Sequence, residues 1–337
     1  GEYYHAGRLA EAGYSVLQPL YSSTEAGKQL LIYEVIDDPS VFDVAWEVEN
    51  GRADLLPLLT RAQNDVDDHL LETYRATLEW QSADDAARAP VHQLFYHRLA
   101  GERLERFYNP GFTVNLPDGP ASLGEVRQVR WRINGRDYHL TLDNLIKTAS
   151  DLLTPAQAGP SIVGHGDAHN GNLFFRHRGQ LASLLYFDPA FAGRHHPLLD
   201  LTKPLFHNVF AMWMYFPEVK RDATRIALQR DPGRWTVEHD YAIPEVRQMF
   251  LHSKSERVLI PTLLDLKARG WLRPDWRAYL KAALFCCPFL TMNLADNTKF
   301  PPEISLLGLT MAVEMGAESN GERGLLDRTL DEVERAL

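Results

Sequence analysis

His165-Gly166-Asp167-Ala168-His169-Asn170-Gly171-Asn172, followed by a short hairpin and then Phe187-Asp188, decides how this chain is read. An Asp and an Asn stand five apart in one loop. A second Asp arrives at the end of an apolar run, Leu181 to Phe187, which reads as a buried strand. This layout suits binding Mg²⁺ and deprotonating an alcohol. Phosphoryl transfer needs one carboxylate to accept the hydroxyl proton, and an Asn amide with a second carboxylate to hold the metal that bridges nucleotide phosphates.

The loop follows the H-x-D-x-x-x-x-N pattern of protein-kinase catalytic loops, with Gly166 where those enzymes carry Arg. In the form H-G-D-x-H-x-G-N it resembles the aminoglycoside phosphotransferase and choline kinase family more closely. The resemblance implies an α+β, protein-kinase-like two-lobe fold, with a small β-containing N-lobe and a large, mainly helical C-lobe. It also implies Asp167 as the catalytic base, His165 as the structural His of the catalytic loop, and Asn172 and Asp188 as Mg²⁺ ligands, with ATP as co-substrate. His169 matches the family's second His. The chain departs from the family at Tyr186-Phe187-Asp188-Pro189, where an Asp followed by an aromatic and an acid is usual; Pro189 removes a backbone donor just after the metal ligand. His196-Pro197-Leu198-Leu199-Asp200-Leu201 resembles the family's Pro-x-x-Asp-Leu, in which the Asp opens a helix and ties it to the catalytic loop.

Two other readings stand beside this one. The run is compatible with an ordinary polar loop in which Gly166 and Gly171 serve only as turn residues. It is also compatible with a metal-dependent hydrolase holding Zn²⁺ or Fe on His165, Asp167 and His169, although Gly171 and Asn172 favour an irregular loop over a strand that would align those three.

The 337 residues are enough for two lobes and a substantial core. Apolar residues make up 45% and charged residues 24%, the balance of a soluble globular protein. No apolar run reaches the roughly 20 residues of a membrane span; the nearest, Ala282 to Ala295, is interrupted by Pro288 and Asn293. No signal peptide opens the chain, and the adjacent pair Cys286 and Cys287 reads as two buried thiols, so a reducing, cytoplasmic setting is expected. A net charge of −10 with no basic stripe argues against a nucleic-acid partner. It fits a small cationic acceptor such as an aminoglycoside or choline, and equally an acidic surface kept for solubility.

Tyr4 to Ala12 has helical spacing, Gly13 ends it, and Tyr14 to Leu20 and Gln29 to Ile36 read as strands around the turn Glu25-Ala26-Gly27-Lys28. In the resembling family this is the second half of the small lobe. Residues 1–37 are therefore expected to be the remainder of an N-lobe and residues 38–337 a helical C-lobe, with the catalytic loop at 161–188. Glu34, Val35 and Ile36 would present backbone groups to adenine, and Glu2 stands where the family's helix carries its acidic partner. A glycine-containing phosphate loop and a strand Lys are missing; the only Lys before residue 100 is Lys28, in a turn. Since the chain opens with Gly rather than Met, an upstream segment is expected to carry those parts. A chain acting without them would be a nucleotide-binding pseudokinase or scaffold.

Helices are expected over Ser40–Asn50, Leu55–Trp80, Pro90–Tyr108, Asp143–Leu153, Leu201–Tyr215, Ile243–Arg269, Asp275–Ala295 and Pro302–Met315, with a loosely docked Leu325–Leu337 at the end. Arg98, Arg103 and Arg106 are open to anion binding or surface pairing. Asn134-Gly135 marks a hairpin within an insertion at 126–142, whose Trp131 and Tyr138 either stack on a substrate or cover the core. Glu245, Asp265 and Asp296 are candidate partners for a cationic acceptor. The chemistry expected of the whole is transfer of the ATP γ-phosphoryl group to a small aminoglycoside-, choline- or sugar-like hydroxyl compound.

Overall fold

The computed structural model describes residues 2–23 and 25–337, with the side chains of Glu2 and Tyr3 outside the described residues. The fold is α+β, with small sheets of two to four strands among helices. The chain divides into two compact units. One comprises Gly1–Val91, Pro155–Val209 and Pro244–Leu272; the other comprises His92–Thr154, Phe210–Ile243 and Arg273–Leu337.

The first unit holds the loop. Its helix Glu2–Ala12 stops at Gly13, whose φ of 112° suits a residue without Cβ. The strands that follow are shorter than the pattern suggests: Tyr21–Ser23 pairs with Leu30–Ile32. Tyr14 to Val16 instead lie against Tyr186, with Ser15 accepting from the Tyr186 N–H and Tyr186 accepting from the Leu17 N–H. Burial explains the shift, because Tyr14 and Val16 are core residues whose backbone needs buried partners. Ser40 caps helix Val41–Glu49 by accepting the Asp43 N–H. Helix Leu56–Thr77 ends sooner than Trp80, because Glu79–Gln81 pairs with the edge of Gly159–Gly164. That strand is the middle of a three-stranded antiparallel sheet completed by Gly193–His195. Leu173–Arg178 and Leu181–Tyr186 form the expected hairpin.

The expected helix Ile243–Arg269 is Glu245–Lys254 and Ile260–Ala268 joined by a widened π turn, Ser255–Leu259. Pro261 has no N–H to return to the preceding turn, so the regular ladder breaks there. Asp265 is engaged by Arg75 at 2.7 Å. Near the turn, buried Asp67 accepts from Lys254, Ser253 and Gln63, so both of its oxygens hold donors.

In the second unit, the hairpin Arg130–Ile133 and Arg136–Tyr138 turns at Asn134-Gly135, both at positive φ. It is half of a four-stranded sheet, paired in parallel with Arg234–His239, which in turn pairs with Ile226–Asp231. Trp131 and Tyr138 are 1% and 2% exposed, and Trp131 meets Trp235 edge-on, so both are core residues rather than a stacking platform. Pro90–Tyr108 is broken into Pro90–Leu94, Tyr96–Ala100 and Glu102–Tyr108, with Gly101 extended between the last two. Leu201–Tyr215 likewise divides, into Pro197–His207 in the first unit and Met212–Tyr215 in the second. Two hairpins escape the sequence pattern: Thr113–Leu116 with Gly119–Ser122, and Ile226–Asp231 with Arg234–His239. The terminal helix Leu325–Ala336 is firmly docked rather than loose. It buries Leu326, Leu330 and Val333, and its buried Asp327 accepts from Lys281 at 2.6 Å and from Ser319. Among the described residues no helix is long and apolar enough to cross a membrane.

Candidate active site

The loop from His165 to Asn172 begins where strand Gly159–Gly164 ends, and it is fastened from below by Asp200 in the first turn of helix Pro197–His207. The buried Asp200 carboxylate accepts the Gly166 N–H at 2.7 Å, His195 Nε2 at 3.0 Å and the Tyr74 hydroxyl. Burial alone would push this carboxyl up, but the His195, Tyr74 and Gly166 donors outweigh it and hold the group below the ordinary carboxylate range. Backbone must come close for this to work. A Cβ on Gly164 would collide with the Asp200 carboxylate and stand 2.6 Å from His195 Nε2. One on Gly166, whose φ is 81°, would stand 2.6 Å from the Phe191 carbonyl.

His165 fastens the loop from the other side. Its Nδ1 accepts the Asp167 N–H at 3.3 Å, so the ring proton sits on Nε2, which donates to the Phe187 carbonyl at 2.8 Å. Loop and hairpin end are thereby joined at the residue before Asp188. The hairpin register completes the arrangement. Leu173 faces Tyr186, and the ladder extends by one bond from the Phe187 N–H to the Asn172 carbonyl, at 3.0 Å. Asn172 and Asp188 thus flank the same open end of the hairpin. Asp188 has a φ of 51°, one of two non-glycine residues at positive φ among the described residues, and it precedes Pro189. A carboxylate held in this costly conformation is over-determined by its surroundings.

Asn172 Nδ2 donates to the Asp167 carbonyl at 2.8 Å, which fixes the amide and turns Oδ1 away from that bond. Asp167 Oδ1 is buried and has no hydrogen-bond partner. Its other oxygen is 3.9 Å from His169 Nε2, too far for a hydrogen bond. His169 Nδ1 accepts the Gly171 N–H, and its ring lies 5.6 Å from that of His207. Burial lowers the His169 pKa, with the nearby Lys203 and His165 acting in the same direction against Asp167 and Asp188.

Lys203 is 3% exposed and contacts His207 Nε2 at 3.4 Å. Sequence reasoning missed Lys203, His207, Tyr74 and His195. A Lys and a His four apart on an apolar helix was the available signal for the first two.

The remaining candidates are on the N-terminal segment. Glu34, Val35 and Ile36 follow strand Leu30–Ile32 outside any regular element, with Val35 82% exposed. Glu2 opens the first helix, and its side chain lies outside the described residues. A Mg²⁺ ion takes one or two protein oxygens and completes its octahedron with phosphates and water. The amide oxygen of Asn172 and the carboxylate of Asp188, beside an unpartnered buried carboxylate oxygen, fit that demand. The hydrolase set fits poorly. Both nitrogens of His165 are engaged by backbone, and among the described residues no three His, Cys, Asp or Glu gather to hold a metal.

No family model and no curated protein sequence matches the chain. Two solved structures of glucosamine kinase show partial likeness, both at 14% identity. Crystal form B gives a TM-score of 0.46 over 92% of this chain and 67% of that one. The complex with glucosamine, ADP and inorganic phosphate gives 0.45 over 93% and 66%. The chain thus spans about two thirds of the length of each. A likeness this faint carries no functional weight.

Proposed function

We propose that the chain is a small-molecule kinase, an ATP-dependent phosphotransferase with a hydroxyl acceptor, in which Asp167 is the base and Asn172 and Asp188 hold Mg²⁺. One observation carries the reading. A buried Asp167 oxygen without a partner sits beside an Asn172 amide already fixed by the Asp167 carbonyl, at the mouth of a hairpin that presents Asp188. Leaving a buried carboxylate oxygen unsatisfied costs free energy, and that cost is repaid where a hydroxyl donates to it.

In this reading Asp167 orients the acceptor and takes its proton as the phosphoryl group transfers in line. His165 and Asp200 hold the loop so that no reorganisation is needed during the reaction. Mg²⁺ on Asn172 and Asp188 would supply charge neutralisation at the phosphates. Glu34 to Ile36 would border the purine, residues 1–37 would be the remainder of the nucleotide-holding lobe, and Glu2 would belong to its helix. The acceptor class is an aminoglycoside-, choline- or sugar-like alcohol.

The test is release of ADP from Mg-ATP in the presence of panels of these alcohols, with Asp167→Asn and Asp188→Ala compared. Acceptor-dependent turnover abolished by Asp167→Asn supports the reading; turnover indifferent to both changes sinks it. A second reading, a nucleotide-binding scaffold without turnover, is favoured by one fact. Lys28 pairs with Glu25 at 2.9 Å on an exposed turn, so it is not placed as a buried phosphate ligand. Mg-ATP binding that needs Asp188 but yields no product with any acceptor would select it.

A further inference from the structure

Away from the catalytic loop, the first unit carries a basin of about 490 Å³ between helix Glu2–Ala12, strand Glu79–Gln81 and strand Gly193–His195. Arg8, Arg88, Arg194 and His5 all line it. The cations differ in how they are engaged. Arg194 gives Nε to Glu79 at 2.8 Å and Nη1 to the Thr77 carbonyl at 2.7 Å, and Arg88 is paired with Asp85. Arg8, half-buried on its helix, makes no ion pair or hydrogen bond among the described residues, yet its charge is felt at both His5 and Arg194. His5 Nδ1 is buried without a partner. Counting Arg8, Arg88 and Arg194 against Glu79 and Asp85 leaves one uncompensated positive charge in the basin.

One wall is aromatic. Trp80 is 52% exposed, lines the basin and meets Trp271 edge-on at 5.6 Å. A large apolar ring lining the same basin as an unpaired guanidinium is a combination that recognises an anionic group carried on a flat apolar ring.

We infer that this basin is a binding site for a small aromatic phosphate, with the phosphate on Arg8 and the open edge of the Arg194 guanidinium, and the ring against Trp80. The inference is independent of phosphotransfer at Asp167. The site shares a strand with the loop's fastening: Arg194 precedes His195, which bonds Asp200. Occupancy therefore stiffens the strand that feeds the Asp200 cluster.

Phenyl phosphate is the probe, with inorganic phosphate and phenol as its separate halves, titrated calorimetrically into the full chain. Arg8→Gln removes the unpaired charge, Trp80→Leu removes the ring, and Arg225→Gln, on an exposed loop of the other unit, controls for charge alone. Circular dichroism and melting establish that each variant folds. Saturable phenyl phosphate binding is expected, weaker for either half, and reduced about tenfold by Arg8→Gln, the usual scale for losing one charge-assisted hydrogen bond. Trp80→Leu should weaken phenyl phosphate but not inorganic phosphate, and hydrogen exchange at Gly193–His195 should slow on binding. Absence of binding, binding unchanged in both Arg8→Gln and Trp80→Leu, or an equal loss in Arg225→Gln would overturn the inference. Should Arg8→Gln not fold, Trp80→Leu and the exchange measurement decide the matter.

Discussion

Two carboxylates on opposite sides of one loop are treated in opposite ways. Asp200, at the helix start, is buried and accepts from a backbone N–H, an imidazole and a phenol. Asp167, in the loop it fastens, keeps a buried oxygen that nothing satisfies. The first pattern is how a protein makes a buried charge structural: both oxygens hold donors, and flanking glycines give room for the approach. The second costs stability and is retained where a ligand completes it. If Asp167 is the base proposed above, hydrogen-bond accounting tells a structural role from a chemical one, although both residues are Asp and Asp200 bonds the loop that carries Asp167.

The sharpest way to break the contrast is Asp167→Asn. Loss of a general base is worth about 10²–10⁴-fold in rate, so acceptor phosphorylation should fall by about a thousandfold. The melting temperature should hold or rise, because the charge on a half-buried carboxylate whose buried oxygen has no partner has been removed. A fall in both would make Asp167 another structural carboxylate.

Asp200→Ala should do the reverse. It strands three buried donors, and breaking a buried, paired charge costs about 3–5 kcal/mol, read by urea unfolding. Because the Asp200 carboxyl is held below its ordinary range, its contribution is complete above the unfolded value and is lost as pH falls through the folded one. The variant should therefore lose the acid-side part of the wild-type stability curve. A variant whose stability tracks wild type at every pH would remove Asp200 from its structural role.

A third comparison extends the contrast to the second unit. His239 Nε2 is buried without a partner, and burial, aided by Arg136, lowers its pKa to about 4. The unfolded chain takes up this proton first, so stability falls as pH drops from the ordinary histidine value towards 4. The loss is about 3 kcal/mol at most. His239→Gln should flatten unfolding free energy across that window; an unchanged slope would place the pH dependence elsewhere.

The α+β class and the loop were legible because they are local. Asp167 and Asn172 are five apart in sequence, and the strand before them and the hairpin after them declare themselves by apolar runs and a Gly179 turn. What fastens the loop was not legible. Tyr74 reaches Asp200 across 126 positions, and no periodicity encodes that pairing. The same holds for the second unit, where Arg130–Ile133 pairs in parallel with Arg234–His239 a hundred residues later. That pairing turned Trp131 from a candidate stacking surface into core. Helix ends were misjudged where a tertiary partner took over the backbone, as when Glu79–Gln81 left the helix pattern to join Gly159–Gly164.

The smallest expected effect bears on the second functional reading. Lys28 is the one Lys near the segment expected to hold nucleotide, yet its side chain is 72% exposed and its partner Glu25 is 64% exposed. An exposed pair three residues apart contributes about 0–1 kcal/mol, and a lysine in such a turn is hydrated rather than poised against a phosphate. Lys28→Ala should therefore change Mg-ATP affinity by less than about twofold, a difference of roughly 0.4 kcal/mol, while Asp188→Ala weakens it strongly. Calorimetry on the two variants separates the cases. A large loss with Lys28→Ala would mean that the turn closes onto the phosphates when nucleotide binds, making the exposed pair a resting arrangement of a catalytic cation and restoring the cationic half of the nucleotide site within these residues.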